Sequence, residues 1–350
     1  MALEVTGQFR YPKPRAEWLA RHAEAIIDPD RPIVDAHHHL WDEPGNQYFT
    51  DHLLADLRTG HRIVATVAVQ AHYGYRSTGP EHLKPVGETE QLERHRREGR
   101  ERGAGQRPCA AIVGFADLRD GDRLDEVLDA HAAASPGHFR GVRQSVARDR
   151  HFPEGVVLRP SPAGMLADPV FRKSTRRLGA RGLVFDAMLY HEQIPELTAL
   201  ADEVTETPIV LDHCGCPLGV GYYTGRKPER FEAWRRDVTE LARRPNVCVK
   251  IGGLGMIITG AEYHLAERPP TSAQLAADWR PWFEACIEAF GALRCMFESN
   301  FPVDKAMYSY AVCWNAFKRL AAGCSATEQD ELFANTASRV YRLETDAGPG

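Results

Sequence analysis

The chain has little of what marks several protein classes. No stretch approaches the roughly 18 consecutive apolar residues that cross a bilayer. Residues 1–30 carry Arg10, Lys13, Arg15, Glu17, Arg21, Glu24, Asp28 and Asp30 where a secretory signal would have an apolar centre. A cytoplasmic protein is expected. Positive charge is not in excess: the formal net charge is −5, with no block of like charge, so no nucleic-acid or membrane partner is expected. The eight cysteines are scattered, several inside apolar runs (Cys248, Cys295, Cys313), and read as small core residues of a reducing compartment. Cys214 and Cys216 form C-x-C, which lacks the spacing of a zinc ribbon. There is no G-x-G-x-x-G after the first apolar run, which removes the signature of a dinucleotide-binding sheet.

What is present suits one large enzyme-sized domain. The 350 residues are 43% hydrophobic, enough for a sizeable core. Short apolar runs alternate with amphipathic segments. Strands are expected over 32–36, 63–70, 110–115, 139–146, 182–187, 208–212, 247–251 and 295–297. Helices are expected over 88–102, 123–134, 169–179, 194–204, 228–244, 273–290 and 307–322. Strands separated by helices pair in parallel, and eight such units point to an α/β fold, a (β/α)8 TIM barrel over 31–345. An open doubly wound sheet is the runner-up. Residues 1–30 read as an N-terminal extension packed over the barrel. The stretches 218–227 and 254–270 are long enough to be active-site loops.

In such a barrel the chemistry sits at the C-terminal ends of the strands. The polar residues there are His37, His38 and His39, Gln70 and His72, Arg143 and Gln144, Asp186, Tyr190 and His191, Asp212 and His213, Lys250, and Glu298, Asn300 and Asp304. Strand alternation sends His37 and His39 to one side and His38 to the other. An H-x-H pair gives a divalent cation two imidazoles, and His213 can supply a third; the same histidines can equally hydrogen-bond loops or a substrate carboxylate without a metal.

Four segments, "IVDAHHHLWD" from Ile33, "FRGVRQ" from Phe139, "IVLDHCG" from Ile209 and "CMFESNFPVDK" from Cys295, resemble in order the motifs of the amidohydrolase superfamily. Within it they are most similar to the branch of 2-pyrone-4,6-dicarboxylate lactonase and the sugar-acid lactonases. The resemblance runs from about Pro32 to Tyr341 and implies a distorted TIM barrel that hydrolyses a C–O or C–N bond. It implies roles for His37, His39 and His213 as ligands of one divalent metal, zinc or manganese, or as metal-free groups that polarise the carbonyl. Arg143 matches an arginine expected to bind a substrate carboxylate. One motif departs: the family usually has Ser-Asp-Trp-Pro at strand eight, and this chain has Ser299, Asn300, Phe301 and Pro302. An amide cannot accept the proton of an attacking water near neutral pH. Glu298, on the same side as Asn300 of an extended strand, and Asp304, beyond Pro302, are the candidate bases; parity favours Glu298, and Asp304 can instead cap a helix near Lys305.

The expected function is a lactonase acting on a small anionic substrate, with His37, His39, His213, Glu298, Asn300 and Asp304 catalytic. Arg143, His72, Tyr190 and His191 would contact the substrate. A homo-oligomer is compatible with the sequence. The alternatives are a sugar-lactone isomerase or metal-dependent decarboxylase on the same fold, and a non-catalytic ligand-binding barrel. Mass spectrometry of product formed in 18O-labelled water separates hydrolysis from isomerisation: a hydrolase leaves one solvent oxygen in the product, and an unlabelled product would remove the hydrolytic reading.

Overall fold

The computed structural model describes residues 11–103, 105–152, 156–157 and 161–343. Eight strands form one parallel sheet in chain order: β1 (Ile33–His38), β2 (Ile63–Val69), β3 (Arg107–Gly114), β4 (Phe139–Ser145), β5 (Val184–Met188), β6 (Ile209–Leu211), β7 (Val247–Ile251) and β8 (Cys295–Phe297). A helix follows each strand: α1 (Thr50–Leu57), α2 (Val86–Arg102), α3 (Leu124–Ala134), α4 (Pro169–Ala180), α5 (Ile194–Glu203), α6 (Lys227–Leu241), α7 (Ser272–Phe290) and α8 (Tyr310–Leu320). This is the (β/α)8 barrel.

Alternation along the strands explains the layering. Val34, Ala36, Val67, Val113, Val184, Val210 and Met296 face inward and pack together, with Tyr341 from the C-terminal end of the described chain. Ile33, Ile112, Phe185, Leu211, Val249 and Phe297 face outward, into the layer shared with the helices. The two layers read as near-continuous apolar runs, as buried parallel strands do.

Three local features escape the sequence reading. The helix α1 is only eight residues long, too short for its period to stand out. A small antiparallel ladder pairs Trp41–Glu43 with Asn46–Tyr48 before it. The helix expected over 307–322 starts at Tyr310, because Ser309 accepts the Val312 N–H at 3.4 Å and caps it. Asp304 therefore does not cap that helix; it opens a single 3₁₀ turn, Asp304–Ala306.

The barrel closes beyond the last strand. The Asn300 N–H donates to the His37 carbonyl at 2.9 Å and the His39 N–H to the Phe301 carbonyl at 2.7 Å. Asp35, fully buried and on the outer side of β1, locks this seam. Its carboxylate accepts from the Ser299 N–H at 2.9 Å, the Ser299 hydroxyl at 2.6 Å and the Tyr310 hydroxyl at 2.9 Å.

Residues 11–22 lie against the C-terminal side of the barrel, and 24–30 run along α8 toward the start of β1, with Lys318 donating to the Asp28 carbonyl at 2.6 Å. Trp18 is buried and donates to the Ala266 carbonyl at 2.9 Å; Lys13 donates to Pro44 at 2.6 Å, and Arg15 to His264. The extension thus bridges the loop after β1 and the loop after β7.

Asp35→Ala would take the acceptor from the Ser299 N–H, the His37 N–H and the Tyr310 hydroxyl, each loss costing roughly 1–3 kcal/mol. The expected fall in Tm is roughly 5–10 °C by calorimetry; an unchanged Tm would show that the seam does not depend on this carboxylate.

Candidate functional site

A bulge in β1 decides which histidines face the barrel mouth. Val34 and Ala36 point inward, so unbroken alternation would turn His38 inward and His37 and His39 outward. The pairing with β2 slips between Asp35 and His38, whose partners are Thr66 and Ala68, so three steps on β1 match two on β2. The extra residue reverses the alternation, as bulges beside active sites do. His37 and His39 face the mouth, with their Nε2 atoms 3.1 Å apart. His38 lies outside, with Nε2 at 2.8 Å from the Thr66 hydroxyl.

Each inward ring is oriented by its other nitrogen. His39 Nδ1 lies 2.8 Å from the Val69 carbonyl, which directs Nε2 into the site. His213 Nδ1 lies 2.7 Å from Glu298 Oε1, and the same oxygen accepts the His213 N–H at 3.1 Å. His213 sits in the left-handed region at φ 55°, a turn that brings ring and amide to one carboxylate oxygen. The two glycines after β7 make room: a Cβ on Gly252 would stand 2.3 Å from Glu298 Cγ, and one on Gly253 would stand 2.7 Å from His213 Cβ. His37 Nδ1 lies 3.2 Å from Lys250 Nζ and 3.1 Å from Glu298 Oε2. The His37 and His213 rings are 4.6 Å apart, centroid to centroid.

Beneath the histidines lies a sealed charge network. Lys250 pairs with Asp186 at 2.6 Å and Asp212 at 3.0 Å, all three fully buried. Tyr341 donates to Asp186 at 2.9 Å. Burial opposes the Lys250 ammonium, but Asp186, Asp212 and Glu298 hold its pKa above the ordinary lysine value. Burial likewise opposes the Asp212 charge, and Lys250, His213 and Arg143 pull its pKa below the usual carboxylate value.

The two candidate bases have opposite surroundings. Burial raises the Glu298 pKa, but His213 and His37 outweigh it and hold the carboxyl at about 2. At neutral pH it is an anion committed to two imidazoles. Asp304 is pushed up to about 7, chiefly by burial, against the Tyr308 hydroxyl bond and the pull of His213. It accepts from Tyr308 at 2.7 Å and from the Asn300 amide at 3.2 Å. The alternation that favoured Glu298 as partner of Asn300 ends at Ser299: Asn300 has φ 55°, and this left-handed turn points its amide at Asp304 instead. Asn300 Oδ1 is buried without a hydrogen-bond partner among the described residues.

Arg143 reaches the same mouth. Its Nη1 lies 3.3 Å from His37 Nε2 and 4.0 Å from Asp212 Oδ2, and Nη2 donates to the Gln70 carbonyl. The other sequence candidates lie farther out. His72, at φ 63°, shares a hydrogen bond with Tyr75 at 2.9 Å and packs on Phe115. Tyr190 packs edge-on against Phe152, and His191 starts the turn before α5, where its Nδ1 accepts the Leu218 N–H at 3.3 Å.

Tyr11, from the N-terminal extension, joins the site with no sequence signal. Its hydroxyl approaches Met256 Sδ at 3.9 Å. Burial raises its pKa, as do Cys216 and Asp304, while Arg143 lowers it, so the phenol shares the environment of the mouth. None of His37, His39 and His213 is more than 4% exposed.

Among the described residues, ligating atoms of His37, Asp212 and His213 lie within 4.8 Å of one another. Asp212 Oδ2 has no hydrogen-bond partner, so a buried anionic lone pair is available beside two imidazoles. That donor set fits one divalent cation. His39 stands next to the set, through His37.

Comparison with known proteins identifies the family. Residues 34–343 match the family model described as amidohydrolase. The uncharacterized protein y4mH of Sinorhizobium fredii is 33% identical over 338 residues, covering 90% of this chain and 99% of the relative. An L-fucono-1,5-lactonase of Burkholderia multivorans is 29% identical over 242 residues, covering 68% of this chain and 73% of the relative. A crystal structure of an amidohydrolase from Burkholderia multivorans with bound zinc superimposes with a TM-score of 0.69 at 25% identity, covering 89% of this chain and 99% of that one. With the family model spanning the barrel from β1 to its C-terminal helices, the chain belongs to the amidohydrolase family and is a hydrolase.

Proposed function

We propose that the protein is a lactonase that opens a small carboxylated lactone by attack of water, with Asp304 as the general base. The observation that carries this reading is the buried Asp304–Asn300 pair at the mouth. The carboxyl is tuned to about 7, close to the pH at which a base works best, and its amide partner can hold the attacking water. The likeness to the L-fucono-1,5-lactonase supports the choice of a cyclic ester.

In this mechanism Arg143 binds the substrate carboxylate, which fixes the lactone in the mouth. His213 directs its Nε2 at the carbonyl and Glu298 keeps its ring oriented, while His39, whose Nδ1–H donates to the Val69 carbonyl, meets His37 through Nε2. Burial works against a charged His213 ring, yet Glu298 and Asp212 raise its pKa above the ordinary value. With a proton on both nitrogens, the His213 ring would stabilise the developing oxyanion. Asn300 positions the water and Asp304 takes its proton as the C–O bond forms. The ring oxygen leaves as the tetrahedral carbon collapses, and Asp304 returns the proton to it. In place of the second proton on His213, His37, Asp212 and a neutral His213 would hold a divalent cation, which would supply Lewis-acid polarisation of the carbonyl when bound. Zinc is the choice supported by the Burkholderia amidohydrolase.

The base governs the pH profile. kcat/KM for a carboxylated lactone should rise with pH through about 7 as Asp304 ionises. Asp304→Asn should lower kcat by about 10²–10⁴ and flatten that limb. Tyr308→Phe removes a hydrogen bond that favours the carboxylate, so the limb should move to higher pH. A Glu298→Gln variant that lost the limb while Asp304→Asn kept it would transfer the role to Glu298.

Zinc titrated into metal-stripped protein should bind at one ion per chain by equilibrium dialysis. Asp212→Asn and His213→Ala should each weaken it by about 10-fold or more. Undiminished binding in both variants would place the cation elsewhere.

A further inference from the structure

The loops after β6 and β7 enclose a second cavity, of about 520 Å³, lined by none of the histidines of the mouth. That volume suits a small organic molecule. One wall is the first turn of α6, with Lys227 and Arg230; the facing wall carries Tyr263, Asp278, Trp279 and Trp282.

Arg230 ties the loops after β6 and β7 together through backbone carbonyls but keeps an unspent donor and an unbalanced charge. It is only 9% exposed. Its Nη1 donates to the Leu218 carbonyl and, at 3.5 Å, to that of Thr259, while Nε is buried with no acceptor. No carboxylate pairs with it among the described residues, and burial alone pulls its pKa down to about 10. A buried guanidinium without a counter-charge is costly, and an anion in the cavity would relieve that cost. The helix beside it adds to the same field. The 15-residue α6 has no side-chain cap, so its positive end and the Lys227 ammonium belong to the same wall. Trp282 stacks 5.4 Å from the Arg230 guanidinium and lines the cavity beside it, while Glu262 and Asp278 offer acceptors. Asp278 already accepts the Tyr263 hydroxyl at 2.7 Å.

We propose that this cavity is a binding site for a small hydroxy acid, with the carboxylate on Arg230, Lys227 and the start of α6, the hydroxyls on Glu262 and Asp278, and the carbon skeleton against Trp282. The ring-opened product of a lactonase belongs to this class, but the site rests on its own residues and stands without that reading. Its wall is tied to the catalytic loop. Arg230 holds the Leu218 carbonyl, the Leu218 N–H bonds His191, and Trp234 of α6 donates to the Cys214 carbonyl at 2.7 Å, next to His213.

Calorimetric titration with D-gluconate as the probe tests the site. The wild type and Arg143→Ala should each bind one molecule per chain. Arg230→Met and Lys227→Glu should weaken binding about tenfold or more, and Ala261→Trp, which fills the cavity, should abolish it. Should Arg230→Met fail to fold, Lys227→Glu and Ala261→Trp decide the matter alone. Absence of binding overturns the proposal. So does binding lost in Arg143→Ala but intact in the cavity variants, which would put the ligand in the barrel mouth. Equal affinity for inorganic phosphate would reduce the site to unselective anion attraction and also overturn it.

Discussion

A lysine ammonium sealed inside a barrel sets the terms for everything above it. Lys250 has no access to water, and the cost of burying its charge is met by Asp186 and Asp212, with Tyr341 satisfying the far side of Asp186. Such a network is a poor source of net stability, since desolvation consumes most of the Coulomb energy. Its effect is positional. Asp212 is held ionised directly under the histidines, and His37 is fixed by an ammonium on one side of its ring and by its Nε2 neighbours on the other. Removal of any one charge would leave the others uncompensated, so the floor of the mouth behaves as a unit.

Much of this was legible in the sequence, because the alternation of apolar runs and amphipathic segments is a direct imprint of parallel strands covered by helices. The H-x-H pair, His213 and the departure at Asn300 were visible as residue types at strand ends. Their roles were not. Alternation counted from Val34 gives the wrong face for His37 until the bulge is known, and a bulge leaves no mark in "IVDAHHH". Glu298 looked like the base because an extended chain puts it beside Asn300; the left-handed turn at Asn300 removes that premise, and only the burial of Asp304 reveals a carboxyl tuned near neutrality. Tyr11 was beyond reach, since its placement depends on Trp18 and Lys13 docking on loops far along the chain.

The two cavities of the C-terminal face share a partition. Tyr263, on the wall of the outer cavity, packs edge-on against Tyr308, which holds Asp304. The outer cavity and Asp304 are therefore separated by two aromatic rings. Rings in edge-on contact transmit a displacement more readily than they absorb it, because a close-packed interior leaves little slack. Met256 and the N-terminal strap lie over the same region, so the loop after β7 touches Asp304, Tyr11 and the outer cavity together.

The seam between Asn300 and His37 has a bearing on the order of events in biosynthesis. In most enzymes of this architecture one can speak of a framework on which a catalytic pocket is mounted; here the last hydrogen bonds of the cylinder are made by catalytic candidates themselves. The first and last strands meet through the backbone of the histidine motif, and Asp35 ties that meeting to the final barrel helix. A chain still emerging from the ribosome has the histidines early and their partners only near the end. Competence and closure then arrive in the same step, and an incomplete chain has no half-built hydrolase to expose.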